Sequence, residues 1–173
     1  MKLISFLVLI FILQFNLLIA QNIENGNKLK KENIFLGGNL GLQFGNVTII
    51  DVSPIVGYKV TEKFSIGIGA KYQYINYRDY NYSFNVYGGS IFGRYNISDY
   101  LFAHVEYEVL NMPSIVNMND IRTNVSSLFV GGGYRQKISK NSSFNIMGLW
   151  NLNESLESPY TNPIIRISLD IGL

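Results

Sequence analysis

Read in steps of two, the segment 163–173 divides into two sets. Ile165, Ile167, Leu169, Ile171 and Leu173 are apolar, and Arg166, Ser168, Asp170 and Gly172 alternate with them. That is the period of a β-strand with one greasy and one polar face. The same dyad pattern predicts strands over 34–44, 47–60, 64–74, 82–95, 101–110, 125–137 and 143–152. In the second of these, Val52, Val56 and Val60 share one face while Asp51, Ser53, Gly57 and Lys59 share the other. In the third, Ile66, Ile68, Ala70 and Tyr72 oppose Ser65, Gly67, Lys71 and Gln73. Pro54 lacks an N–H for a ladder, so a bulge or local irregularity is expected there. At about 3.3 Å per residue, segments of this length are long enough to cross a bilayer when tilted.

The connections alternate in kind. Val60-Thr61-Glu62-Lys63, Ile97-Ser98-Asp99-Tyr100 and Ile138-Ser139-Lys140-Asn141 each place a hydroxyl residue after a β-branched one, just before the next strand. Such hydroxyls bond back to turn backbone. Tyr58, Tyr95 and Tyr134 precede these turns on the apolar face, while Tyr72, Tyr74 and Trp150 fall toward the opposite ends of their strands. Two aromatic belts separated by aliphatic residues suit a sheet that spans lipid. The longer connections, 76–81, 111–124 and 153–162, then lie together on the far side from both termini. The 111–124 segment carries Met112, Ile115, Val116 and Met118, an apolar content that suits a partner, lipopolysaccharide headgroups, or packing over the barrel mouth.

Composition sharpens this picture. Charged residues make up 15% of the chain, below the usual quarter, and aromatics 14%, which fits a lipid-facing barrel better than a soluble enzyme. The net charge of +2 gives no case for a nucleic-acid surface, and zero cysteines exclude disulfides, thiolate metal sites and a Cys nucleophile. Residues 1–20 read as a secretory signal peptide: Lys2, then an apolar run from Leu3 to Ala20. An uncleaved anchor is the other reading. Residues 21–33 form a polar leader, expected to be flexible and periplasmic, and 34–173 form the barrel.

In these features the chain resembles the small eight-stranded outer-membrane barrels of the OmpA-transmembrane and OmpX-like superfamily. It departs from them in ending on Leu173 rather than an aromatic residue. The resemblance implies an all-β, eight-stranded, antiparallel up-and-down transmembrane β-barrel in the outer membrane of a Gram-negative envelope. It also implies lipid and lipopolysaccharide as surroundings, the barrel-assembly machinery as a partner in biogenesis, and a monomer. The role expected is structural, adhesive or envelope-maintaining. The alternative is a small transport protein, either a narrow channel or a lipocalin-like carrier with its apolar face turned inward.

Nine charged residues fall on the polar face: Asp51, Lys59, Lys71, Arg94, Glu106, Glu108, Arg135, Arg166 and Asp170. Inside an eight-stranded barrel, opposite charges are expected to pair and plug the lumen. A path opened by rearranging one pair is the sharper alternative. His104 shares that face with Glu106 and Glu108, which allows a metal or acid–base cluster, but an interior histidine satisfied by its neighbours is the plainer reading. The glycines at 37–38 and 131–133 are followed by no helix and so form no phosphate cradle. No catalytic, cofactor or metal site is expected, and the chain is not expected to be an enzyme.

Overall fold

The structure is a computed structural model that describes residues 30–114 and 121–173. The expected signal peptide, most of the leader, and residues 115–120 lie outside the described residues. Eight strands follow one another: β1 (Ile34–Gln43), β2 (Val47–Lys59), β3 (Phe64–Tyr77), β4 (Tyr82–Asn96), β5 (Leu101–Pro113), β6 (Arg122–Lys137), β7 (Ser142–Asn151) and β8 (Ile164–Gly172). Each pairs antiparallel with its sequence neighbour, and β8 closes onto β1. The chain of register partners from Ile164 leads through Leu149, Gly131, His104, Arg94 and Ser65 to Lys59, beside the start of β1. The β8–β1 register, carried forward, sets Ile164 near the other end of β1. That stagger of roughly ten residues tilts the strands and leaves an interior that side chains can fill.

Parity along each strand assigns inside and outside. Ile68, Ile91, Ile165 and Ile167 are 62%, 61%, 66% and 53% exposed, and the other outward positions of the wall are similarly apolar. Asp51, Arg94, His104, Glu106, Glu108 and Asp170 are all buried in the lumen. The soluble-carrier arrangement, apolar inside and charged outside, is therefore not the one this chain adopts.

The three like turns are built alike. Val60 and Thr61 donate to Phe64 O, Ile97 and Ser98 to Leu101 O, and Ile138 and Ser139 to Ser142 O, at 2.9 and 3.1 Å in each case. The Thr61, Ser98 and Ser139 hydroxyls accept from the N–H groups of Phe64, Leu101 and Ser142 at 2.9, 3.1 and 3.1 Å. This turn end of the barrel carries exposed Tyr95, Tyr100 and Tyr134, the last two stacked. Tyr72, Tyr87 and Trp150 are exposed nearer the loop end.

At Pro54 the expected irregularity takes the form of a gap and not a bulge: the β2–β3 ladder skips Ser53 and Pro54 and resumes in the same register at Ile55↔Gly69. One expectation needs correcting. The expected 111–124 loop begins and ends as strand, with Asn111↔Asn124, Met112↔Thr123 and Pro113↔Arg122 paired. Its polar residues ladder across the hairpin. Asn111 Nδ2 donates to Asn124 Oδ1 at 2.7 Å, and Arg122 reaches Asn111 O at 2.8 Å and Asn85 O at 3.0 Å. Met112 is no surface residue; it points into the lumen and packs on Val86, Leu110 and Val125.

Candidate functional site

The lumen holds the chemistry, in layers. At the turn end lies an open bowl of about 800 Å³ whose lining includes Lys59, Lys137 and Arg135. Lys59 is exposed there and takes no part in the ion pairs deeper in. Arg135 is held by amides instead of carboxylates: Nε donates to Asn145 Oδ1 at 3.1 Å and Nη1 to Asn96 Oδ1 at 3.0 Å.

Above the bowl sits Arg94, 2% exposed. Its Nη1 lies 2.6 Å from Asp170 Oδ2, which also accepts from Asn145 Nδ2 at 2.9 Å. Three rings enclose the guanidinium: Phe102 at 4.8 Å, Phe92 at 5.6 Å and Phe35 at 6.0 Å from centroid to Cζ. Cations over aromatic faces gain further attraction when removed from water. Glycine makes the cradle possible, since a Cβ at Gly57 would occupy the space of the Phe35 ring and one at Gly67 that of Phe92. Side chains of β1, β4, β5, β7 and β8 thus gather around one cation.

The middle layer joins His104, Glu106, Glu108 and Arg166. Arg166 Nη1 donates to Glu106 Oε2 at 2.6 Å, and its Nη2 lies 4.0 Å from Glu108 Oε2. His104 Nε2 is 3.1 Å from the same Glu106 oxygen, and its ring stacks on Phe92. Glu106 is therefore shared by a guanidinium and an imidazole, which leaves it poorly disposed toward a metal. Among the described residues no cluster of three or more His, Cys, Asp or Glu is arranged to hold one. A cavity of about 50 Å³ beside this layer is of water size.

The loop-end layer includes a residue the sequence pattern did not reveal. Tyr160, in the connection between β7 and β8, drops into the barrel and donates its hydroxyl to Glu108 Oε1. Its ring meets Phe129 edge-on at 5.0 Å and lies beneath Lys71 Nζ at 5.5 Å. Burial, then the neighbouring Glu108 carboxylate, push the Tyr160 phenol well above its ordinary value. Lys71 pairs with Asp51 at 3.2 Å, and Asp51 also accepts from Ser53 Oγ at 2.6 Å and Gln73 Nε2 at 3.2 Å. The loop is moored by Asn162, which accepts from Asn151 N at 2.7 Å and donates to Asn151 O at 3.0 Å.

Of the nine charges read from the sequence, Asp51, Lys71, Arg94, Glu106, Glu108, Arg166 and Asp170 join in three ion-paired groups. Arg135 neighbours one of these through Asn145, and Lys59 stands at the rim. The aromatic packing around the cations was legible only in part: parity places Phe92 inside, and the same rule applied to β1, β5 and β6 would have added Phe35, Phe102 and Phe129. Nothing in the pattern of a polar loop signals that Tyr160 turns inward.

No family model matches the chain. No curated protein matches it either. Among solved structures, one described as "De novo design of transmembrane beta-barrels" is 17% identical, over 84% of this chain and 96% of that one, with a TM-score of 0.37. At that score the likeness adds nothing to the fold, which rests on the strand pairing itself.

Proposed function

We propose that the protein is an integral outer-membrane β-barrel, of the kind represented by the OmpA-transmembrane and OmpX-like proteins, with a structural, adhesive or envelope-integrity role. The observation that carries this reading is the inversion of the two faces. A closed wall of exposed isoleucine, leucine, valine and tyrosine surrounds a lumen of paired ions. In water such a wall would be one continuous apolar surface, far larger than the few hundred Å² soluble monomers tolerate. In lipid it is the required exterior, and closing the sheet satisfies backbone groups that hydrocarbon cannot. The tyrosine belts then mark the two interfaces, the like turns face the periplasm, and the longer loops face outward toward lipopolysaccharide. Export by the N-terminal segment and insertion by the barrel-assembly machinery belong to the same reading, as does a monomeric state without enzymatic activity.

A narrow channel is the second reading. The bowl, the water-sized middle cavity and the polar lining favour it, while the ring-enclosed Arg94 opposes it. A lipocalin-like carrier is disfavoured, because the inward face carries the paired ions and the outward face the apolar wall, the reverse of a carrier's arrangement. Fractionation, detergent dependence and heat-modifiable gel migration test the membrane assignment; recovery of the protein as a detergent-free soluble monomer would refute it. Planar-bilayer recording separates the two roles: the plugged reading predicts no discrete conductance, and regular unitary steps would replace it with the channel.

A further inference from the structure

Two ion-paired groups lie next to each other in the lumen. Arg94 holds Asp170, while Arg166 and His104 share Glu106. Among the described residues no hydrogen bond runs from one group to the other. The cavity of about 50 Å³ is lined by residues of both, Arg94 on one side and His104 and Arg166 on the other. Each of these three carries one nitrogen that is buried and has no hydrogen-bond partner among the described residues: Arg94 Nε, His104 Nδ1 and Arg166 Nη2. The last of them is 4.0 Å from Glu108 Oε2, too far for a hydrogen bond. Buried polar atoms are seldom left so, because each has given up the bonds it made to solvent.

The chemistry of these atoms selects what can meet them. Arg94 Nε and Arg166 Nη2 are donors. His104 Nε2 is 3.1 Å from a Glu106 carboxylate oxygen, and an ionised carboxylate only accepts. That nitrogen therefore carries the hydrogen, and in a neutral ring Nδ1 is an acceptor. The occupant must accept from two donors and donate to one acceptor. A metal ion cannot accept from a guanidinium, a halide cannot donate to Nδ1, and an apolar group would leave all three unmet. Nor is there a charge for an ion to answer, since the lining cations Lys71, Arg94 and Arg166 are already paired with Asp51, Asp170 and Glu106. Water, with two donors and two acceptors, satisfies the set. At about 10–15 Å³ for each molecule the cavity has room for a few.

We propose that this cavity is a built water site, in which ordered water accepts from Arg94 Nε and Arg166 Nη2 and donates to His104 Nδ1. The water joins the two ion-paired groups into one hydrogen-bonded network and fixes the His104 ring as its Nε2–H tautomer. His104 is then a positioning residue of the lumen. Ordered water of this kind does not solvate a guanidinium as bulk solvent would, so Arg94 still depends on the Asp170 carboxylate. The site concerns the lumen alone and goes beyond the membrane reading above.

His104 is the chain's one histidine, so histidine labelled with nitrogen-15 in the ring reports on this site alone. The protein is folded in octyl glucoside micelles, its folded state is checked by heat-modifiable migration, and proton–nitrogen spectra are recorded together with cross-relaxation from water. The expected result is a neutral Nε2–H ring, an Nδ1 resonance displaced from the free-acceptor position by a hydrogen bond, and a direct Overhauser contact between water and the ring proton Hε1. Ile55 lines the same cavity, and I55F puts a larger apolar ring into it. In I55F the water contact should be lost and the Nδ1 resonance should return to the free-acceptor position. A parent ring without water contact, a ring protonated at Nδ1, an Nδ1 resonance that moves when bromide is added, or a water contact that survives in I55F would each overturn the proposal. If I55F does not fold, the parent spectrum decides by itself. Each of these results bears on the water site and leaves the membrane reading standing.

Discussion

Replacing Asp170 with Asn tests the physics of the lumen at its most buried point. The carboxylate lies 2.6 Å from Arg94 Nη1, and the two side chains are 8% and 2% exposed. Neutralising it strands a guanidinium that cannot reach water. Removing one partner of such a pair costs about 3–5 kcal/mol. The rings of Phe35, Phe92 and Phe102 offset part of this, each by about 0.5–2 kcal/mol, but they are present in both forms and do not replace the lost charge. A loss of about 3 kcal/mol is therefore expected for D170N. The comparison that gives the number meaning is the double variant R94M/D170L, which removes both ions and leaves apolar groups of similar size. Because a buried pair gains little over a well-packed apolar replacement, the double variant should lie within about 1–2 kcal/mol of the parent. Reversible urea unfolding in vesicles, followed by the fluorescence of Trp150, gives both values; Trp150 is the chain's one tryptophan and is 53% exposed on the outer wall. A D170N cost below about 1 kcal/mol, or a double variant worse than the single one, would show that Arg94 is not desolvated as described.

Other outcomes follow from the same contacts. Y160F removes the hydroxyl donor to Glu108 and should cost about 1–3 kcal/mol in the same unfolding assay, with a neutral effect refuting the inward placement of the loop. Because the fold raises the Tyr160 phenol, its contribution is complete below the ordinary tyrosine range and is lost as pH rises above about 10. Unfolding titrations should show an alkaline decline that flattens in Y160F, and an identical decline in both forms would contradict this. T61A, S98A and S139A each remove one turn-closing acceptor at an exposed site and should cost about 0.5–1 kcal/mol apiece, additively because the three hydroxyls share no hydrogen-bond partner. G57A forces a methyl into the space of the Phe35 ring and should destabilise by about 1–3 kcal/mol, visible as a lowered urea midpoint.

Why some of this could be read from the residues and some could not has a physical basis. Alternation is strictest in β8 and in β3 as far as Tyr74, where lipid-facing positions are aliphatic or aromatic and inward ones are glycine, serine, glutamine or charge; there both strand and facing direction follow from period two. It blurs in β4 and β7 because a narrow lumen must also be filled with volume. Val86, Phe92, Met147 and Leu149 point inward, so apolar residues fall on both parities. The turn hydroxyls were legible because their bonds are local. The loop-end part of the β5–β6 hairpin, within 111–124, was read as a loop because Asn111, Asn124 and Arg122 look like loop residues, and only the cross-strand register reveals that they ladder with each other. The inward turn of Tyr160 and the short four-residue β1–β8 pairing depend on a loop path and on the meeting of the first and last strands. Neither leaves a periodic mark in the chain.

The central claim is that this wall faces oil and its ions face inward, and a nitroxide scan along β8 in lipid vesicles tests it most directly. Single cysteines at 164–172, each spin-labelled, are compared for collision with membrane-soluble oxygen and with a water-soluble nickel chelate. Oxygen access should peak at Ile165, Ile167, Leu169 and Ile171 and fall at Arg166, Ser168 and Asp170, in strict alternation. A scan in which the nickel chelate reaches the isoleucine positions as readily as bulk water, or in which the two-residue period is absent, would contradict the account.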